Sequence, residues 1–314
     1  VIKTQKAGQI QNLDELPLPA RDLFPWKLYS SYSSLVREVP CMHMMTSRGC
    51  PFHCTFCSSQ NLWKSCRARF SKKIVDEIEV LIKKFGAKEI YLFDDTFNLN
   101  LKNVEEFCDE IFRRKIKISF RVVARVHPMT KEILQKMKKA GVWCIYYGVE
   151  SGNQEVLNDI KKGITLEQVR KTFKMTEEAG IRTFGFFMIG LPKDTRKTIN
   201  ETINFALELN PDFVNFSILT LYPQTDIYEL AIKQGTATRI KAKEIFYPKR
   251  YKHPLVSEKE LEKYLADVYK RFYMRPTYML KRFFKIRTFT EFKSNLIAGL
   301  PFLKPKGDPF KVSG

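Results

Sequence analysis

The stretch CMHMMTSRGCPFHCTFC, residues 41–57, decides the fold. Its first part, CMHMMTS, is an almost unbroken apolar run one strand long, and its second part sets Cys50, Cys54 and Cys57 within eight positions on the loop that follows. Near-continuous apolar runs are how strands covered on both faces read. Five more occur downstream: KEIYLFD (88–94), ISFRVVARV (118–126), VWCIYYGVE (142–150), RTFGFFMIG (182–190) and DFVNFSILTL (212–221). Helical patterns separate them. SKKIVDEIEVLIKKFG places Ile74, Ile78, Leu81 and Ile82 on one face and stops at Gly86; TKEILQKMKKAG runs from a Thr130 N-cap to Gly141; TLEQVRKTFKMTEEAG runs from Thr165 to Gly180; TRKTINETINFALELN precedes the last strand. Strands alternating with helices predict an α/β protein with a parallel sheet, either open or curled into a partial barrel, and the pattern alone does not choose between the two. In both, functional loops lie at the carboxyl ends of the strands. The three cysteines fall at such an end.

The rest of the chain brackets this alternation. Residues 1–40, rich in Pro and Leu without period, read as a lead-in or connector packed over a surface; 41–228 form the core; 229–314 form a basic helical extension, with helices expected over 258–276 and 277–303. A chain of 314 residues with 44% hydrophobic and 28% charged residues is long enough for one large core plus an appendage and is not compositionally disordered. No run of 18 apolar residues occurs and the N-terminus lacks a signal-peptide pattern, so a cytoplasmic location is expected. The chain starts at Val1 rather than Met, which reads as a fragment or a trimmed form. Of the net charge of +20, twelve units lie in 229–314, where 20 Lys and Arg face eight Asp and Glu. Such a tail suits an anionic membrane surface, nucleic acid or an acidic substrate.

Seven cysteines, an odd number, in a chain without an export signal argue for metal binding over a disulfide framework. Zinc would need four Cys or His ligands in tetrahedral geometry. The local candidates for a fourth are His53 and Cys66, and neither completes a paired CxxC arrangement. A [4Fe–4S] cluster has four iron corners, each normally held by a thiolate. Three thiolates leave one iron open to an amino and carboxylate chelate, so the missing fourth cysteine is itself informative. Cys41, Cys108 and Cys144 read as ordinary buried thiols.

CPFHCTFC, C-x3-C-x2-C with an aromatic before the last cysteine, following the first strand of a sixfold strand–helix pattern, resembles the radical S-adenosylmethionine (radical SAM) superfamily. The resemblance implies a partial (β/α)6 TIM-like barrel with an N-terminal lead-in and a helical C-terminal extension. It also implies a [4Fe–4S] cluster on Cys50, Cys54 and Cys57, and SAM bound at the open iron and cleaved reductively to methionine and a 5′-deoxyadenosyl radical. YLFDDTFN then supplies Asp94, Asp95 and Thr96 for the SAM ammonium, the alternative being that an Asp caps the next turn. Arg125 would pair with the SAM carboxylate or a substrate acid, or else make a surface ion pair. Glu150 and Ser151 of YYGVESG suit the ribose or the aminocarboxyl end. Gly190 of FFMIGLP permits close approach of backbone to adenine, and the LTLYPQT segment around Tyr222 offers backbone hydrogen bonds to the adenine edge. For the last two, a buried strand followed by a Gly/Pro turn explains most of the residues.

LDELPLPARDLFP (13–25), TSRGCPFHCTFCS (46–58), GVESGNQEVL, FMIGLPKDT and the tail segment KRFYMRPTYMLKRFFK resemble a branch whose members carry a cobalamin-binding domain upstream, including anaerobic Mg-protoporphyrin monomethyl ester cyclase, hopanoid-modifying enzymes and cobalamin-dependent methylases. No such domain is in this sequence, so cobalamin would have to come through a region outside it. The expected activity is a carbon-centred radical modification, with methylation one subtype, of a small-molecule or lipid-like substrate. Flavodoxin or ferredoxin is the expected electron donor, and the basic tail is a candidate for a membrane-peripheral contact. The competing reading is an RNA-modifying or nucleic-acid-binding iron–sulfur protein. It is the weaker one, because no RNA-binding barrel follows the core.

Overall fold

The structure is a computed structural model that describes residues 8–29, 35–63, 65–239, 250–286, 288 and 292–293. Along the chain come β1 (Cys41–Met44), β2 (Ser47–Arg48), α1 (Ser59–Leu62), β3 (Arg67–Ala68), α2 (Ser71–Phe85), β4 (Glu89–Leu92), α3 (Leu101–Arg113), β5 (Ser119–Ala124), α4 (Lys131–Lys139), β6 (Val142–Glu150), α5 (Gln154–Asp159), α6 (Leu166–Glu178), β7 (Arg182–Ile189), α7 (Arg196–Leu209), β8 (Phe213–Ile218), α8 (Asp226–Lys233), α9 (Glu258–Tyr273) and α10 (Pro276–Phe284). Three short 3-10 turns precede β1 between Leu13 and Tyr29.

Six strands pair in parallel in the order β1-β4-β5-β6-β7-β8. This order answers the question the sequence left open. A doubly wound sheet reverses its strand order at a switch point; here each new strand adds beside the last, which winds the sheet one way into a barrel-like curve. The two sheet faces carry separate cores. The helical side buries a large cluster including Ile78, Leu81, Ile90, Leu92, Val122, Leu134 and Phe187. The inner side gathers Trp143, Cys144, Tyr146, Phe184 and Phe213, with Leu35, Tyr91, Val123 and Phe186 against them.

The helix signals act as the sequence predicts. Gly86 closes α2 at φ +65°, Thr130 accepts the Ile133 N–H at the start of α4, and Thr165 forms a capping box with Gln168 at the start of α6. Of the tail helix expected over 277–303, α10 covers the start, and most of the remainder lies outside the described residues. Among the described residues no helix is long and apolar enough to cross a membrane.

The C-terminal extension explains where the sheet stops. An edge strand presents unpaired backbone groups. Along β8 the Tyr273 hydroxyl lies 3.0 Å from Val214 N and 2.9 Å from Val214 O, and the Tyr269 hydroxyl 3.0 Å from Phe216 N and 3.2 Å from Phe216 O. The Tyr278 hydroxyl donates to Asp212 O at 2.7 Å. Tyrosines one helical turn apart on α9 thus meet backbone groups two residues apart on β8, in place of a seventh strand.

Candidate functional site

The cysteine loop is fastened by the carboxylates of the next strand. Asp94, 3% exposed, accepts the N–H groups of Thr46 at 2.6 Å and Ser47 at 3.0 Å, and the Thr46 hydroxyl. It therefore ties the end of β4 to the chain leaving β1. Burial pushes its carboxyl up to about 6 against the pull of these three donors. Asp95, whose side is exposed, accepts the Gly49 N–H at 3.0 Å. Gly49 has φ +91°, and an added Cβ would lie 2.5 Å from Ser65 O, so this turn admits only glycine. Neither Asp caps α3; Asn100 does, accepting the Lys102 N–H at 2.9 Å. Buried Thr96 places its hydroxyl 3.5 Å from Cys50 Sγ.

The loop is pinned from its other flank too. Thr55 N–H donates to Ile160 O at 3.0 Å, Ile227 N–H to Thr55 O at 3.1 Å, and Cys57 N–H to Cys54 O at 3.0 Å. Gln60 reaches back to the carbonyls of Cys50 and Phe52. All three cysteines are free and half-buried. Burial raises the Cys57 thiol above its ordinary value; the Ser59 N–H lowers it, and the neighbouring Cys54, Cys50 and Asp95 raise it. Cys66 is near enough to feel Cys50, Asp94 and Asp95, though burial is the larger cause of its raised value. No three His, Cys, Asp or Glu among the described residues converge on a single-ion position. A cubane makes no such demand, since each thiolate holds a different iron.

Arg125 is the main basic group beside these thiols. It is 6% exposed, its guanidinium lies 3.7 Å from the centre of the Phe52 ring and 3.9 Å from Cys54 Sγ, and it donates to the Lys162 carbonyl. The surface ion pair considered from sequence is thus not its arrangement. Its Nε is buried without a hydrogen-bond partner among the described residues. A buried donor left over costs about 1–3 kcal/mol, and an anionic group bound beside Cys54 would satisfy it. This orphaned donor, together with three gathered thiols, fits an anionic cluster and a carboxylate-bearing ligand.

Glu150 and Ser151 diverge. Glu150, at φ +71°, pairs with Lys162 at 2.7 Å, and both side chains are almost fully buried. An added Cβ at Gly148 would lie 2.6 Å from Glu150 Oε1 and 2.8 Å from Lys162 Nζ, so the pair rests directly on the β6 backbone. Ser151 is fully buried and bonds Thr202 at 3.1 Å and the Asn153 N–H at 3.1 Å, which makes it part of the α5–α7 junction in this structure. Gly190, φ +78°, faces Leu261 of α9 at 3.0 Å from an added Cβ. Tyr222 is 45% exposed, and its carbonyl accepts from Thr225. Lys162 escaped the sequence reading because it lies in IKKG, among ordinary surface lysines, twelve residues past its partner.

The radical SAM superfamily profile matches residues 44–206, more than half of the chain. An uncharacterized methyltransferase of Pyrococcus horikoshii is 35% identical over 280 residues, which are 88% of this chain and 60% of the relative. The anaerobic magnesium-protoporphyrin IX monomethyl ester cyclase of Rubrivivax gelatinosus is 31% identical over 231 residues, 73% of this chain and 41% of the relative. This chain thus spans roughly half the length of these relatives. Among solved structures, the radical S-adenosylmethionine methyltransferase TsrM of Kitasatospora setae, with cobalamin and a [4Fe–4S] cluster bound, superposes with a TM-score of 0.59 at 22% identity over 64% of this chain and 38% of that one, a likeness of fold. With the cysteine loop at the carboxyl end of β1 and the profile spanning β1 to α7, the chain belongs to the radical SAM superfamily.

Proposed function

We propose that this chain is the catalytic core of a radical SAM enzyme that modifies a small molecule. The observation that carries this reading is a buried guanidinium with a donor to spare, 3.9 Å from Cys54, one of three half-buried thiols on the loop after β1. Cys50, Cys54 and Cys57 would hold a [4Fe–4S] cluster. When bound, the cluster supplies one electron to SAM, whose carbon–sulfur bond breaks to give methionine and a 5′-deoxyadenosyl radical able to take hydrogen from an unactivated carbon.

The protein's own groups position and shield. Arg125 balances thiolate charge near Cys54 and offers its Nε to a carboxylate. Asp95, on the exposed side of the loop, suits the SAM ammonium; Asp94, already committed to Thr46 and Ser47, acts by holding the loop. The Glu150–Lys162 pair offers a carboxylate and an ammonium on one wall, fit for hydroxyls and a carboxylate respectively. The exposed Tyr222 segment suits the adenine end, whereas Gly190 packs against Leu261 of α9. Methylation and ring closure are both subtypes that the relatives' names carry, and cobalamin from outside this sequence belongs to the first. The net charge of +20 favours an acidic donor such as flavodoxin or ferredoxin. Exposed Met279, Leu280, Phe283 and Phe284 on α10, within the basic extension, suit a contact with an anionic membrane surface.

The test is anaerobic reconstitution with iron and sulfide, dithionite reduction in the presence of SAM, and chromatography for 5′-deoxyadenosine, with and without methylcobalamin. Four irons per chain and 5′-deoxyadenosine are expected. Cys50→Ala, Cys54→Ala and Cys57→Ala should each lose the cluster while Cys108→Ala keeps it; equal loss in all four would overturn the assignment.

A further inference from the structure

The two-stranded ribbon beside the cysteine loop holds an arrangement that the cofactor site does not explain. β2 and β3 are antiparallel, with Ser47 opposite Ala68 and Arg48 opposite Arg67. Directly opposed residues share one face of a ribbon, and like charges placed so destabilise it. Both guanidinium groups lie against the Trp63 ring, 5.4 Å and 5.6 Å from its centre, a contact that attracts each cation weakly. The neighbouring arginines are neutralised: Arg21 and Arg69 both pair with Glu77, at 2.7 Å and 2.5 Å. Arg48 and Arg67 meet no carboxylate among the described residues. Arg67 is 8% exposed; it donates to the Ile10 carbonyl, and its Nε and Nη2 are buried without a hydrogen-bond partner. Buried charges are ordinarily paired, so two opposed and unpaired arginines call for an anion.

A second observation says where that anion would lie. Half-buried Arg48 lines a cavity of about 500 Å³ between the lead-in and β1, a volume in the range of small-molecule sites. The lining is two-sided. Leu16, Leu18 and Met45 make part of it apolar. Of the three arginines in it, Arg21 and Arg69 are occupied by Glu77, which leaves Arg48 as the one with its charge uncompensated.

We propose that Arg48, with Arg67 across the ribbon from it, anchors the acid group of a small molecule, a carboxylate or a phosphate, whose apolar part lies in this cavity. The planar guanidinium fork matches either oxyanion with two parallel hydrogen bonds, and an anion there replaces the repulsion between the two arginines with attraction. The anchor is separate from Arg125, which lies beside Cys54. Binding at Arg48 requires no cluster. That the anchored acid is the molecule modified rests on the catalytic reading above, since Arg48 stands two residues before Cys50.

Equilibrium dialysis of octanoate and of octyl phosphate against the full chain, with and without reconstituted iron, tests this. Saturable binding is expected in both states, and the tighter of the two probes identifies the anchored group. Arg48→Gln should weaken it about tenfold or more, the worth of a hydrogen bond to a charged group. Arg48→Lys, which restores the charge, should recover part of that loss, whereas Arg196→Gln, at an exposed arginine of α7, should leave affinity unchanged. Octanol at equal concentration should not displace either acid. Absence of saturable binding of both acids, equal displacement by octanol, unaltered affinity in Arg48→Gln, or a loss as large in Arg48→Lys overturns the proposal. Because the iron-free chain is measured too, such a failure is distinct from failure to make 5′-deoxyadenosine, which speaks against the cluster reading alone.

Discussion

The two adjacent carboxylates at the end of β4 make the sharpest test of how the site is built. Asp94→Ala would leave the Thr46 and Ser47 N–H groups buried without acceptors. At about 1–3 kcal/mol for each orphaned group, the expected loss of stability is about 2–6 kcal/mol. Asp95→Ala frees only the Gly49 N–H on the exposed side and should cost about 1 kcal/mol. Urea unfolding of both variants, followed by iron content after reconstitution, separates the roles. Asp94→Ala should be less stable and retain less iron; Asp95→Ala should retain iron and bind SAM more weakly. The Asp94 carboxyl also fixes the sign of a pH effect. Its folded value, about 6, is above the ordinary 3.8. Its contribution is therefore fully present below 3.8 and is lost as pH rises through 6, on the order of 3 kcal/mol in all. Asp94→Asn should flatten that window of the stability profile. If Asp94→Ala costs under 1 kcal/mol and keeps its iron, the claim that this carboxylate holds the loop is refuted.

Two further outcomes follow from close contacts elsewhere. Tyr273→Phe removes a hydroxyl that meets both Val214 N–H and Val214 C=O, and should destabilise the chain by about 2–4 kcal/mol in urea with iron content unchanged; Tyr269→Phe acts on Phe216, and because the two rings stack the double variant should depart from the sum of the single losses. Gly148→Ala brings a methyl against Glu150 and Lys162, and should lower SAM affinity in dialysis more than it lowers the unfolding midpoint.

The strands were legible because each is covered on both faces and so reads as an apolar run; VWCIYYGVE coincides with β6 from end to end. The cysteine loop was legible because its spacing is local. What stayed hidden depends on contacts distant in sequence. Asp94 and Asp95 look equivalent in FDDTFN, yet past the end of β4 one turns beneath the loop to Thr46 and Ser47 and the other stays at the surface beside Gly49. Lys162 becomes a partner of Glu150 only because α5 folds back over β6. Arg125 looks like many Arg residues at a strand end until burial deprives its Nε of a partner. The inner core of Trp143, Cys144, Tyr146, Phe184 and Phe213 was present in the same runs, but they are apolar on both sides, and no period separated it from the outer core.

The two ends of the sheet are treated oppositely, and this asymmetry connects the fold with the site. At β8 three tyrosines occupy the backbone groups, and α9 lies over the strand. At β1, among the described residues, no helix closes the edge in that way. The lead-in crosses it, tied by Arg21 to Glu77 at 2.7 Å and by Asp14 to the Phe70 N–H at 2.8 Å, and leaves the cavity between itself and Met45. The cavity takes in Ser47 and Arg48, on the chain that runs from β1 to Cys50. One edge of the six-stranded sheet is thus sealed by side-chain hydrogen bonds, and the other is bridged by a short connector.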